Sequence, residues 1–230
     1  MPVLNEAAAL PGLLADLRGL RPRPEVIVVD GGSADATCRV AREHGALVLT
    51  AARGRGTQLR AGAAAARAPL LCFLHADVRL APPALRMIEA LAKARPPGAY
   101  AFRLAIDRPG LAYRVVEWGA NVRSRWGGLP YGDQGLLVRR EDYDAAGGYP
   151  PVPLMEDVGL VRALRRTTRI HILPAVVQAS ARRWEREGVL RRSWANWRLL
   201  LAYFRGVPPE RLATHYRPAG EAPPPSRPIR

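Results

Sequence analysis

The chain has 230 residues, 48% hydrophobic and 24% charged, an ordinary globular composition large enough for one domain with a substantial core. Its 35 basic side chains against 20 acidic ones leave a net charge of +15, which implies an anionic partner: a phosphate-rich ligand, acidic lipid or nucleic acid. No apolar run approaches the roughly 20 residues of a membrane span and no signal peptide is recognisable, so the chain is expected to be cytoplasmic.

The chain starts abruptly. Met1-Pro2-Val3-Leu4-Asn5-Glu6 begins where a strand should be ending, so either the first strand is truncated by a late start or the sheet is short of a strand. Leu10, Leu13, Leu14 and Leu17 then recur at helical spacing, and Val26 to Val29 form an apolar strand that runs into Asp30. Ser33 and Asp35 can cap a helix through His44; Ala46 to Thr50 reads as a strand and Thr57 to Ala66 as an alanine-rich helix. Leu70 to Leu74 is a second apolar strand, and Pro82-Pro83 opens a helix that ends near Arg95. A strand from Ala99, a helix from Leu111 to Arg125, a Gly-rich turn and a strand from Gln134 to Val138 come next. A helix starting near Met155, two strands around Ile170 and Val177, and a long helix from Val189 to Phe204 complete the pattern. The alternation of helix and strand predicts βαβ units and a largely parallel sheet.

Lys93 is the only lysine, so the positive charge is nearly all arginine, which suits bidentate phosphate binding; a biased genome would produce the same excess. Cys38 falls in a predicted helix and Cys72 in a predicted buried strand, so no disulfide and a reducing compartment are expected.

Two strands end in acids: Asp30-Gly31-Gly32-Ser33-Ala34-Asp35 follows the first, and His75-Ala76-Asp77 follows the second. Ligands of open α/β sheets bind beyond the carboxyl ends of the strands, so carboxylates there point to a nucleotide and a divalent metal. The Asp-Gly-Gly-Ser segment is equally a plain strand-to-helix turn, and Glu156-Asp157 by itself is an acidic pair at a helix start.

Taken in order, Pro2-Val3-Leu4-Asn5-Glu6, Asp30 to Thr37, His75-Ala76-Asp77, Gly132-Asp133-Gln134 and Met155-Glu156-Asp157 resemble the motifs of family 2 glycosyltransferases of GT-A fold. Arg53-Gly54-Arg55, Leu129 to Gln134 and Ser180 to Arg186 are similar to a small bacterial subgroup labelled as associated with arsenosugar biosynthesis, which names a context and not a reaction. The resemblance implies an α/β, GT-A type Rossmann-like, mostly parallel sheet flanked by helices with a C-terminal amphipathic helix. It further implies one domain over residues 1–217 and a disordered Pro-rich tail over 218–230.

The same resemblance implies an inverting transfer of a sugar from a nucleotide diphosphate donor, UDP-linked for preference, to an unidentified acceptor hydroxyl. Asp30 would accept a hydrogen bond from uracil N3–H, and Pro2, Leu4, Glu6, Gly32, Ser33, Asp35, Arg55, Gln58, Ala76, Arg183 and Trp184 would surround the donor. Asp77 would hold Mn2+ or Mg2+; His75, standing where the family has aspartate, could coordinate Mn2+, bond to phosphate or cap the strand end. Asp157 would be the base, with Glu156 beside it and Asp133 supporting it or contacting the acceptor. The subgroup usually has asparagine at Arg60, which puts a nucleotide role there in doubt.

Two other readings are open. A sugar-phosphate nucleotidyltransferase shares the sheet and the metal, but its Gly-rich loop with a catalytic Arg or Lys is missing after the first strand. A nucleic-acid-binding domain suits the charge alone, whereas acids end the central strands, so no nucleic-acid partner is expected. The closing helix interleaves Arg191, Arg192, Arg198 and Arg205 with Trp194, Trp197, Leu199, Leu200, Leu201, Tyr203 and Phe204. It could lie peripherally on an anionic membrane or pack against the sheet with its arginines in water.

Overall fold

The computed structural model describes residues 1–214 and 216; the tail expected from Pro218 lies outside the described residues. Strands β1 (Pro2–Val3), β2 (Ile27–Asp30) and β3 (Leu47–Thr50) form a parallel sheet in that order, with Pro2 opposite Val29 and Val3 opposite Asp30. All four residues of β2 are buried, as a strand covered on both faces requires. Helix α1 (Leu10–Leu17) buries the four leucines that set its period, and α2 (Thr37–Glu43) and α3 (Arg55–Ala65) complete this half.

The second sheet contains β4 (Leu70–Phe73), β5 (Val78–Leu80), β6 (Ala99–Ile106), β7 (Leu136–Arg139) and β8 (Ile170–Ala179) in the order β4-β7-β6-β8-β5. The expected mostly parallel α/β sheet is realised in the first half; in the second sheet β6 and β8 run parallel and the other pairings are antiparallel. Helices α4 (Pro82–Ala94), α5 (Leu111–Gly127), α6 (Arg140–Ala145) and α7 (Glu156–Thr167) accompany it. The short α8 (Arg182–Glu187), the long α9 (Val189–Phe204) and α10 (Pro209–Ala213) follow. A core of Leu13, Leu17, Val78, Ile88, Phe102 and Leu137 joins α1 and α4 to the second sheet, and Val3, Leu10, Leu14 and Val28 pack a second core beneath the first. No helix among the described residues is long and apolar enough to cross a membrane.

Two expectations change. The strands read separately around Ile170 and Val177 are one strand, β8, with Pro174 inside it. The register against β6 advances from Ala101–Ile172 to Arg103–Val176, and this irregularity takes up a residue that cannot donate to the ladder. Cys72, expected to pack inside a buried strand, is exposed and opens onto a cavity of about 360 Å3 between β2 and β4. Both cysteines are free.

Gln58 of α3 is 3% exposed and bridges β1 and β2: its Nε2 donates to Val3 O at 2.9 Å and to Val29 O at 2.8 Å. A strand of two residues has few ladder bonds of its own, so this amide holds it in place. Gln58→Leu is therefore expected to lower unfolding free energy by about 2 kcal/mol, the cost of leaving buried carbonyls short of a donor. Urea unfolding measures it, and an unchanged midpoint would show that the bridge is dispensable.

Candidate active site

The site grows from loops at the carboxyl ends of β1, β2 and β4. The first two are stitched together. The Asn5 amide donates to Ser33 Oγ at 2.9 Å and its Oδ1 accepts from the Ala34 amide at 2.8 Å. Likewise the Glu6 amide donates to Thr37 Oγ1 at 2.8 Å and the Ala7 amide to Asp35 Oδ2 at 3.1 Å. Asn5 adopts the left-handed region (φ 55°), which its short polar side chain tolerates and these bonds fix.

Asp30 is spent in the same turn. Its carboxylate accepts from the Gly32 amide and from the Ser33 amide and hydroxyl. Burial opposes the charge, but these bonds outweigh it and hold the carboxyl below its ordinary value. Asp30 thus has local partners within its turn, and Asp30, Gly32, Ser33 and Asp35 line neither of the chambers described next.

Two chambers lie beyond the strand ends. The larger, about 250 Å3, is walled by Pro2, Leu4, Glu6, Gln58 and Ala76; the smaller, about 130 Å3, by Tyr131, Asp133, Glu156, Asp157 and Trp184. Arg55, His75, Asp77, Arg183 and Tyr216 line both, so charged side chains stand at their junction. Arg60 is elsewhere, donating to Gly147 O and Tyr149 O.

Three motifs distant in sequence meet at Gly132. It opens a single 3-10 turn (Gly132–Gln134) where a strand was expected to begin, and its amide donates to Asp157 Oδ2 at 2.9 Å. A Cβ here would lie 2.4 Å from His75 Nε2 and 2.8 Å from Asp157 Oδ2, so only glycine allows the approach. Gln134, fully buried, secures the turn by accepting from Ser124 Oγ at 2.6 Å and donating to Phe102 O at 2.9 Å. Gln134 is thus a brace, and Asp133 beside it is the member that faces the chamber. Met155, in the left-handed region (φ 65°), turns the chain so that α7 opens with Glu156 and Asp157.

The polar atoms in the smaller chamber are underused. Among the described residues His75 Nε2, Asp133 Oδ1, both Glu156 carboxylate oxygens, Asp157 Oδ1, Arg183 Nε, Trp184 Nε1 and Ser193 Oγ are buried without a hydrogen-bond partner, and all of these residues except Ser193 line this one chamber. Buried polar groups are normally satisfied, so such a cluster marks a place built for a ligand. Burial raises the Asp133 carboxyl, and it pushes His75 down to about 3 with help from the Arg55 charge, so the imidazole is neutral at ordinary pH.

Ion pairs set the remaining groups. Arg55 Nε lies 2.7 Å from Glu156 Oε1; Glu156 is 1% exposed, and burial pushes it up to about 7 against the pull of Arg55. Glu156, expected as half of a catalytic pair, is thus ion-paired with Arg55, while Asp157 has one oxygen bonded to the Gly132 amide and one without a partner. Arg182 Nη2 reaches Glu6 Oε2 at 2.8 Å and Asp77 Oδ2 at 3.9 Å.

No three His, Cys, Asp or Glu side chains among the described residues form a cage for a metal. A hard cation often takes one or two protein ligands and completes its shell with water and substrate phosphate. Asp77, with the unpartnered His75 Nε2 two residues away at the chamber junction, fits that mode.

Sequence reasoning missed Tyr216, Arg192, Asn196 and Leu199, all in the chamber wall. Arg192, Asn196 and Leu199 recur at helical spacing on α9, the one signal that could have found them; Tyr216 carries none.

A family model described as Glycosyl transferase family 2 matches residues 1–148. Curated proteins of Mycobacterium tuberculosis and Mycobacterium bovis named as uncharacterized glycosyltransferases are 40% identical over 79 residues, 34% of this chain and 34% of theirs. The match thus spans about one third of those relatives' length. Among solved structures, the Pyrobaculum calidifontis mannosyltransferase in complex with GDP-Man and Mn2+ has a TM-score of 0.58 at 21% identity, covering 86% of this chain and 58% of that one. Mycobacterium tuberculosis glucosyl-3-phosphoglycerate synthase with Mn2+ and UDP-glucose gives 0.54 at 21%, covering 78% and 67%. The S. aureus TarS 1-349 structure gives 0.59 at 16%, covering 78% and 59%. At these identities the structures speak for the fold, which is that of GT-A transferases, and the family match covers well over half of the residues: the chain belongs to glycosyltransferase family 2.

Proposed function

We propose that this transferase moves a sugar from a UDP-linked donor to an acceptor hydroxyl with inversion at the anomeric carbon. The observation that carries the reading is the cluster of unpartnered buried polar atoms at the meeting of the two chambers. The nucleotide occupies the larger chamber, the diphosphate lies at the junction, and the acceptor enters the smaller one. The solved relatives bound to Mn2+ with UDP-glucose or GDP-Man support a nucleotide-sugar donor used with a divalent cation. The subgroup linked with arsenosugars supplies a context for the acceptor without naming it.

Each residue has a role that its position supports. Gly132 N–H fixes one oxygen of Asp157, which orients Oδ1, the oxygen without a partner, as the base. Asp157 takes the acceptor hydroxyl proton as that oxygen attacks the anomeric carbon; the bond from this carbon to the diphosphate oxygen breaks, and the nucleotide diphosphate leaves with the electron pair. One base and one displacement give inversion. Arg55 and Arg183 stabilise the charge growing on the leaving group. A divalent cation held by Asp77, with His75 as second donor, would neutralise the diphosphate further. Asp133 contacts the acceptor from the opposite side of the Gly132 turn.

Replacing the base should affect turnover alone. Asp157→Asn is expected to lower kcat at least about 100-fold with donor affinity nearly unchanged, measured by UDP release and by calorimetry. Full turnover in this variant would move the role to Asp133. Asp77→Asn should fold normally yet abolish the strengthening of UDP binding by Mn2+; metal-UDP bound as tightly as by the parent would remove Asp77 from the metal site.

The Arg55–Glu156 pair gives a third outcome. Glu156→Gln leaves Arg55 without its counter-charge, but because burial already pushes Glu156 up to about 7 the neutral amide should change stability little near neutral pH. Donor KM should rise as Arg55 loses its anchor. A variant with unchanged KM would show that Glu156 does not position Arg55.

A further inference from the structure

The apolar surface left over by the fold is concentrated on two adjacent helices. Leu111, Trp118 and Trp126 of α5, and Leu190, Trp194 and Trp197 of α9, each leave 60% or more of their surface to solvent. Helices α5 and α9 pack against each other, and the two α9 tryptophans stack with ring centroids 6.4 Å apart. A fold that had packed this helix against its sheet would have buried these rings; instead α9 turns Arg192, Asn196 and Leu199 inward to the smaller chamber. Leu190, Trp194 and Trp197 lie about 160° around the helix from that stripe.

Charge marks the same face. Arg191, Arg198 and Arg205 recur every seventh residue beside the aromatic stripe, and with Arg125 at the end of α5 all four are exposed and make no ion pair among the described residues. Neither helix offers an exposed acid: α9 contains none, and the single one of α5, Glu117, is buried and accepts from the Ile106 amide at 2.6 Å. Exposed tryptophans bordered by unpaired arginines match the boundary of a bilayer, where the rings enter the headgroup region and the guanidinium groups meet lipid phosphate.

We propose that the α5–α9 face docks on an anionic lipid bilayer, which places the α9 wall of the smaller chamber one helix thickness from the membrane. The inference concerns binding alone, so it stands or fails independently of the transfer reaction. It goes beyond an isolated C-terminal helix, because α5 contributes half of the surface.

The test is co-sedimentation with vesicles of equal parts phosphatidylcholine and phosphatidylglycerol, compared with phosphatidylcholine alone, at a salt concentration where surface charges are screened beyond about 10 Å. The parent should pellet with the anionic vesicles, weakly with the neutral ones, and its tryptophan emission should shift to the blue. Trp194→Ala with Trp197→Ala should weaken binding at least about tenfold, roughly 1.4 kcal/mol, while the melting temperature is kept. Trp118→Ala with Trp126→Ala should do the same from the other helix. A parent that does not pellet, or tryptophan variants that bind as tightly as the parent, would overturn the proposal; the latter outcome would reduce the binding to adhesion by net charge. A parent that is dimeric in solution and becomes monomeric in these variants would assign the face to a second copy of the chain and overturn it as well.

Discussion

The close approach at Gly132 is the constraint on which the site depends. The amide of this residue holds Asp157 Oδ2 at 2.9 Å, while the space its missing Cβ would fill is taken by the His75 imidazole. Three segments, the loop after β4, the 3-10 turn and the first turn of α7, are thereby locked at contact distance although more than 80 positions separate His75 from Asp157. The turn cannot drift because Gln134 is bonded to α5 through Ser124 and to β6 through Phe102. Geometry of this kind places a carboxylate without relying on the flexible reach of its own side chain, and misplacement by about an ångström is costly to any reacting group.

The charges around this joint are arranged against their own burial. Burial is the leading influence on Glu6, Asp133 and Glu156, and it raises all three carboxyls. Arg182 offsets it at Glu6 and Arg55 at Glu156, through direct ion pairs, while Asp133, Asp157 and Glu156 keep oxygens with no hydrogen-bond partner. Pairing every group would make a stable interior and an inert one. The incomplete pairing falls on the residues that face the smaller chamber, so the stability forgone there is the room left for a ligand's own hydroxyls and phosphates.

How much of this the sequence announces depends on whether a residue's task is local. The four leucines of α1, the apolar strands before Asp30 and His75, and the bounds of α9 follow from periodicity and are found where expected. The pairing of strands does not: β4 and β5 run antiparallel to their neighbours because of contacts made with β7 and β8 far along the chain. The strands read separately around Ile170 and Val177 are one, since a bulge that depends on the partner strand accommodates Pro174 between them. The same divide runs through the site. Asp77 and Asp157 stand out as acids at element ends, but the commitment of Glu156 to Arg55, of Asp30 to its own turn, and of Gln58 to the backbone of β1 and β2 depends on neighbours that only the fold supplies.

Tyr216 shows how the last described residue completes the arrangement. Its hydroxyl accepts from Arg192 Nη2 at 2.9 Å and from Arg183 Nη1 at 3.4 Å, and the ring receives the Arg192 guanidinium 4.9 Å from its centroid. Burial opposes ionisation of the phenol, yet Arg55, Arg183 and Arg192 together outweigh it and hold the group below its ordinary value. A phenol among three guanidinium groups is positioned by electrostatics and not by packing alone, and it touches both chambers at their junction. Because Arg192 is also paired with Glu187 at 3.0 Å at the start of α9, the helix whose outer face carries the tryptophans is joined to the side chains at the chamber junction.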